Sequence, residues 1–416
     1  MALAVGDACT ALDFSPGNRV DRGESGGENV ALLRERRMRT VVISCEDTNS
    51  YASSLAEAAG ALRSGALVVF PTETVYGVAA NAAQPDAVAR LREVKGRRDR
   101  QPFTVHLGQR RDARRYLRSP SPLVRRLARK GWPGPLTLVC EEPAPERTEI
   151  AGLCPGEQLG EIYQEGTVGL RCPDHPAAAR LLCEAGVPVV ASSANRQGNP
   201  APLDVRQALR DLDRVVAYAI DAGNTRLGVA SSIVEIRGNE WKIRREGAID
   251  ERTLSRLART EILFVCTGNS CRSPMAERLF RRRLAERMER PSEELSELGY
   301  AVVSAGTLGL ADAPASSGAL EEMRARGIDL NEHRSQALTV ELIHRAERIY
   351  VMSPEHRSAV IDLVPGASGR VVMLDEGGPI PDPMGGSAEQ YAQCAQQIER
   401  AVEARLEEFL HEDRDW

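Results

Sequence analysis

None of the 416 residues falls in an apolar run of transmembrane length or a secretory leader pattern, so neither a membrane-spanning nor an exported chain is expected. The nine cysteines have no framework spacing. This sets aside a disulfide scaffold, and no metal-type Cys/His spacing predicts a resident ion. The glycine fingerprint of dinucleotide folds and the Gly-rich phosphate loop ending in Lys-Ser/Thr are both missing. Any nucleotide must then be held by side chains from several strands. No internal repeat joins the two halves. What remains is a chain suited to the reducing cytoplasm.

This length predicts two domains. Net charge is −5, with 17 Lys+Arg and 27 Asp+Glu in residues 261–416, which leaves +5 for residues 1–260. Arg90 to Lys130 holds 15 basic and 3 acidic side chains. That density fits nucleotide or RNA contact as well as a solvated helix face. Residues 1–37, rich in Gly, Arg and Asp, are expected to be disordered, with folding starting near Met38. Apolar runs (ALVVF, TVHLG, PLTLVC, TVGLRC, VPVVASS, SSIVEIRG) then alternate with helical patterns to about residue 250. Residues 251–260 read as a linking helix. From Glu261 the strands EILFVC, YAVVSAG, RIYVMS and RVVML, each separated by a helix pattern, predict a parallel βαβ domain over 261–416.

Residues 261–277, EILFVCTGNSCRSPMAE, carry the clearest chemistry. A strand delivers Cys266 into a tight loop, and Ser273-Pro274 opens a helix. Loop N–H groups and the positive helix end form an anion site. The same field should depress the pKa of Cys266 and make its thiolate a nucleophile. Arg272 can clamp two phosphate oxygens bidentately. Asp382, the acid of PDPMGGS, is placed to protonate a leaving group. His344, His356 and His411 read as surface residues, and the run 281–287 as a solvated helix face. His175 reads as structural or functional alike.

With CTGNSCRS (266–273), SAGT (304–307), the His333 region and Asp382-Pro383, residues 261–416 resemble the low-molecular-weight protein-tyrosine-phosphatase family. The resemblance implies Cys266 as nucleophile, Arg272 as clamp, Ser273 as the hydroxyl easing thiolate departure, and Asp382 as general acid. It also implies that Asn269 and Ser304 hold the loop, that Cys271 pairs reversibly with Cys266 on oxidation, and that no cofactor is needed. Ser270 stands where tyrosine-directed members often carry a bulky aliphatic and arginine-directed members a small hydroxyl. Met384 replaces the aromatic that commonly follows the Asp-Pro. Both lean towards phosphoarginine, or at least away from phosphotyrosine, with the substrate left as a protein phosphorylated on tyrosine or arginine. Arsenate reduction needs further relay cysteines, and only Cys394 lies downstream of Cys271.

In the first half, PTETVYG (71–77) places two hydroxyls and a carboxylate after a strand. Lys95 and Arg97 can reach separate phosphates, while Ser193 and Asn195 supply neutral donors. With TVH (104–106), WPGPLTLV (132–139), LRCPDHP (170–176), SSAN (192–195) and SSIVE (231–235), residues 38–250 resemble the YrdC-like family of threonylcarbamoyl-AMP synthases. This implies an α/β domain with a twisted mixed sheet that joins L-threonine, bicarbonate and ATP, with Mg2+ accompanying the nucleotide, for tRNA modification. Lys95, Arg97, Ser193, Asn195 and Arg245 would contact ATP; Thr72, His106, Arg171 and Ser231 would line the threonine pocket. Cys172 and Cys183 read as core. Arg98, Gln101, Ser232, Glu235 and Glu246 depart from the family's usual residues. The whole reads as a bifunctional enzyme, with a phosphatase carrying a non-catalytic nucleotide- or RNA-binding domain as the alternative. Candidate partners are a phosphoprotein and tRNA or double-stranded RNA.

Overall fold

The computed structural model describes residues 39–96, 102–154 and 156–414. The expectations for residues 1–37, Met38, Arg97, Arg98 and Gln101 fall outside them. Two compact units are present: one takes in Met1–Pro120, Gly131–Ile236 and Trp241–Asp250, the other Ser121–Lys130, Arg237–Glu240 and Glu251–Trp416.

The first unit is built on one mixed sheet. Its strands are β1 (Val41–Ser44), β2 (Val68–Phe70), β3 (Gly77–Asn81), β4 (Thr104–His106), β5 (Leu136–Glu141), β6 (Tyr163–Gln164), β7 (Thr167–Arg171), β8 (Val189–Ser193), β9 (Tyr218–Asp221), β10 (Ser232–Arg237) and β11 (Glu240–Arg245). They lie in the order β1-β9-β2-β3-β8-β4-β7-β5-β10-β11, with β6 on β7. β4 runs parallel to β7 and antiparallel to β8, so the ends of strands from distant sequence meet. Helices α1 (Tyr51–Arg63), α2 (Pro85–Val94), α4 (Pro176–Ala185) and α5 (Val205–Leu212) belong to this unit, whereas α3 (Pro122–Gly131), between β4 and β5 in the chain, falls almost wholly in the other. α1 buries Leu55, Ala58, Ala59 and Leu62, an i, i+3, i+4, i+7 stripe, in one cluster with Leu181 and Ala185 of α4. Each buried leucine contributes about 2 kcal/mol of transfer free energy.

The second unit has an all-parallel sheet ordered β13-β12-β14-β15. Its strands are β12 (Thr260–Cys266), β13 (Tyr300–Gly306), β14 (Arg348–Val351) and β15 (Val371–Met373). Its helices, after α3, are α6 (Glu251–Leu257), α7 (Arg272–Met288), α8 (Ser317–Ala325), α9 (Val340–Arg345), α10 (Pro354–Leu363) and α11 (Ala388–Arg414). Phe264, Phe280, Tyr350 and Phe409 stack on one face, while Leu342, Ile343 and Val360 cover the other. Arg283 and Arg287 of α7 pair with Glu399, Glu403 and Glu407 of α11. α3 belongs to this unit. Its Arg126 is fully buried, donating to the carbonyls of Ala258 (2.7 Å) and Leu298 (3.0 Å) with its guanidinium 4.3 Å above Tyr300. That end of the basic stretch is spent on protein contacts.

Candidate active sites

In the second unit, β12 ends at Cys266, in register with Gly306 of β13, and the chain turns through residues 267–271 into α7. Asn269 adopts left-handed backbone (φ 54°), which turns its N–H towards the thiol. Cys266 Sγ accepts from the Asn269 N–H at 3.2 Å and lies 3.0 Å from Ser273 Oγ. Asn269 Nδ2 donates to both Ser273 Oγ (3.0 Å) and Ser304 Oγ (2.8 Å), and Ser304 passes its proton to Glu277 (2.6 Å). Ser273 therefore accepts from the amide and keeps its own proton for the sulfur. His333 Nε2 donates to the Asn269 carbonyl at 2.7 Å. A Cβ on Gly306 would lie 2.8 Å from the Thr267 carbonyl oxygen, so only glycine lets the loop sit this close.

Arg272 is 5% exposed. Nη1 donates to the Ile380 carbonyl (3.2 Å), and Nη2 to Thr267 Oγ1 (3.0 Å) and Asp382 Oδ2. Its buried Nε has no partner among the described residues, a donor left over for an anion. The Asp382 side chain is 44% exposed and the Asp-Pro loop brings it onto the arginine. Cys271 Sγ donates to Ser316 Oγ at 3.1 Å, with Tyr391 Oη at 3.7 Å and Met384 Sδ at 4.0 Å. Ser270 Oγ is 3.7 Å from the Cys271 sulfur. His356, which the sequence suggests is a surface residue, is instead 6% exposed, because α10 turns His356 and Val360 inward together. His344 is exposed as expected.

In the first unit, the turn after β2 carries Thr72, Glu73 and Thr74, all at most 2% exposed. Arg171 reaches it from the end of β7, and its Nη2 donates to Thr74 Oγ1 (2.6 Å), Glu73 Oε1 (3.0 Å) and, at 3.5 Å, Thr72 Oγ1. Its buried Nε has no partner among the described residues. Across the β4–β7 ladder, His106 faces Arg171 in register. Burial, followed by the Arg171 cation, pushes His106 down to about 3. Its Nδ1 donates to the Thr104 carbonyl at 3.1 Å, so Nε2 stays a bare acceptor. Arg245 donates to the Ser231 carbonyl (2.8 Å) and hydroxyl (3.1 Å), and burial, then Arg171, lowers its pKa. A Cβ on Gly247 would fall 2.3 Å from the Ala230 carbonyl oxygen, so the Arg-Glu-Gly segment lies directly on this strand.

Lys95, Ser193 and Asn195 form a second cluster. Lys95 Nζ donates to the Ser193 carbonyl (2.8 Å), the Asn195 carbonyl (2.5 Å) and Asn195 Oδ1 (3.0 Å). The Gly77↔Ser193 register and the Ala194 N–H on the Tyr76 carbonyl (2.8 Å) tie this cluster to the turn. A cavity of about 280 Å³ opens beside the turn, lined among others by Thr72, Glu73, Tyr76, Asp174, Thr225 and Arg226. Of the residues expected to contact threonine or ATP, Thr72 lines it, together with Glu73 of the same turn and His175. The Asp-Ala-Gly-Asn turn at 221–224 was the available signal for the rest. His175 caps α4, accepting from the Ala177 N–H at 3.2 Å. Cys172 is buried core, whereas Cys183 is half-buried.

A thiol-centred anion loop on a parallel sheet and a buried arginine–hydroxyl site on a mixed sheet define a two-module protein: a cysteine-loop phosphatase fold joined to a mixed-sheet synthase fold. The Sua5/YciO/YrdC family model, described as telomere recombination, matches residues 60–247, and the low molecular weight phosphotyrosine protein phosphatase model matches 261–415. The chain belongs to the threonylcarbamoyl-AMP synthase family through its N-terminal half and carries a low molecular weight phosphatase domain in its C-terminal half. It is 37% identical over 206 residues to threonylcarbamoyl-AMP synthase of Bacillus subtilis (strain 168), covering 48% of this chain and 55% of that protein. It is 35% identical over 216 residues to a relative of the same family from Mycobacterium tuberculosis (strain ATCC 25618 / H37Rv), covering 52% of this chain and 94% of that one. The YwlE arginine phosphatase from Geobacillus stearothermophilus is 32% identical to the region it matches, 38% of this chain and 96% of that chain, with a TM-score of 0.33.

Proposed function

We propose that the chain is a bifunctional enzyme: an ATP-dependent synthase of threonylcarbamoyl-AMP and a cysteine-dependent phosphoprotein phosphatase. The observation that carries the first activity is the free Nε of Arg171, buried among hydroxyls. Such a donor suits a carboxylate or carbamate, and the bare Nε2 of His106 suits an O–H or N–H of threonine. The carbamate oxygen attacks the α-phosphorus of ATP, the bond to the β-phosphate oxygen breaks, and pyrophosphate leaves. Arg245 and Lys95 absorb charge on the nucleotide, with Arg97 as a further proposed contact; no enzyme nucleophile is used. Among the described residues no group of three or more His, Cys, Asp or Glu is placed to hold a metal, so Mg2+ arrives on the phosphates of ATP. The product serves modification of tRNA, the proposed RNA partner.

The second activity rests on Cys266 facing two donors, with Arg272 Nε free. The thiolate attacks phosphorus, and the leaving group departs with a proton from Asp382, which lets go of Arg272 to deliver it. Water then cleaves the S–P bond with Asp382 as base, and Ser273 steadies the departing thiolate. The rim is aliphatic: Met384 is 56% and Leu310 50% exposed. It offers a phosphotyrosine ring no aromatic at position 384 to stack on, and it suits the methylene stem of phosphoarginine.

Full-length protein given ATP, Mg2+, L-threonine and bicarbonate is expected to release pyrophosphate only when all are present. ATP binding without release would leave the alternative, a phosphatase with a nucleotide- or RNA-binding appendage. Phosphoarginine peptides should exceed phosphotyrosine peptides by about tenfold or more in kcat/KM. The reverse order would overturn the substrate assignment. Among the described residues no helix is long and apolar enough to cross a membrane; we place the enzyme in the cytoplasm, where ATP and tRNA are available to it.

A further inference from the structure

A chain of hydrogen bonds reaches Arg272 from α10, outside the phosphate loop. Its members are Thr267, His356 and Ser353. Arg272 Nη2 can only donate, so Thr267 Oγ1 accepts from it at 3.0 Å and turns its own proton to His356 Nε2, 2.9 Å away. The proton of the neutral imidazole then sits on Nδ1, which donates to Ser353 Oγ at 2.9 Å.

We infer that His356 is a positioning residue of the phosphatase site, fixing Thr267 so that Arg272 stays aimed at the phosphate while Asp382 leaves it to protonate the leaving group. This rests on the phosphatase reading above. In the resting site Arg272 Nη2 is shared between Asp382 and Thr267, while among the described residues Nη1 holds the Ile380 carbonyl alone. Once Asp382 moves, Thr267 is the side chain that still grips Nη2. An unanchored threonine hydroxyl would be free to rotate, and the guanidinium with it. Directed chains of this kind polarise one another and hold their members more tightly than isolated pairs. The charged groups facing His356 are Arg272 from α7, Glu355 from its own helix and Asp382 from the Asp-Pro loop. Burial, then Arg272, holds the imidazole down to about 4, so it is neutral and the chain keeps its direction above that pH.

The test measures inorganic phosphate binding to the full chain by calorimetry, alongside hydrolysis of p-nitrophenyl phosphate. His356→Ala and Thr267→Val should each weaken phosphate binding about tenfold, as expected for losing one hydrogen bond to a charged group. The double variant should be no weaker than either single one, because both break the same chain. Thr267→Ser and His356→Gln, which keep the hydroxyl and an acceptor near Nε2, should restore most of the affinity; a merely structural histidine would not be rescued in this way. Melting temperatures check folding, and if His356→Ala does not fold, the Thr267 pair and His356→Gln decide. Unchanged binding in Thr267→Val, or single effects that multiply in the double variant, would overturn the inference. Wild-type protein that binds phosphate without hydrolysing p-nitrophenyl phosphate would instead remove the phosphatase reading and leave the relay standing on binding. Wild type that binds no phosphate removes both.

Discussion

His106 shows how strongly one residue's surroundings can redirect its chemistry. The family resemblance groups His106 with Arg171 in one pocket, but nothing local to the strand puts that cation in register with it across the β4–β7 ladder. Unfolded, the side chain takes up a proton near 6.5; folded, burial and Arg171 delay this to about 3. Between those values the unfolded chain binds more protons, so stability falls as pH drops through 6.5 towards 3. At pH 5 this one residue costs about 2 kcal/mol, since the loss there is set by the unfolded value alone. His106→Gln should therefore flatten the pH dependence of urea unfolding of the first unit by about that amount between pH 7 and 5. An unchanged slope would mean that His106 takes up its proton near 6.5 in the fold as well, so that burial beside Arg171 does not keep its Nε2 bare below that pH.

At the scale of elements, legibility followed how local each determinant is. β12, the loop and α7 could be read because every signal lies within seventeen residues: an apolar run, a cysteine, an arginine, and Ser-Pro opening a helix. The parallel sheet of the second unit was legible for the same reason. β3, β6 and β9 were not separately anticipated. β3 is built from Gly77, Val78, Ala79, Ala80 and Asn81, with little β-branched content, and β6 has only two residues. Their pairing comes from neighbours far along the chain. α3 is the clearest case: its arginines read as nucleic-acid-facing or solvated, yet Arg126 packs on carbonyls and a ring more than 130 positions away. No periodicity within the helix encodes that. His356 reads as a surface residue for the same reason, since its partner Thr267 lies 89 positions earlier. The lining of the cavity beside Thr72 depended on the 222–226 loop, whose turn residues signal a bend but not what it faces.

For the whole molecule, the question is whether two chemistries on one chain depend on each other. The hydrogen bonds that shape the Cys266 loop come from residues between Cys266 and Tyr391, and those around Arg171, Lys95 and Arg245 from residues between Thr72 and Arg245. Charge is divided too, with residues 261–416 at −10 and the preceding residues at +5. If each site is organised within its own unit, removing one nucleophile should silence one reaction only. Cys266→Ser replaces the sulfur nucleophile by a far weaker hydroxyl, and phosphatase turnover should fall by about a thousandfold or more. Threonine-dependent pyrophosphate release by the same preparation should remain within about twofold of wild type, since the substitution removes no group from the synthase site. A parallel fall in both rates, in protein that melts at the wild-type temperature, would show that the state of the phosphate loop governs the synthase. Hydrolysis that survives the substitution would mean that the nucleophile is not Cys266.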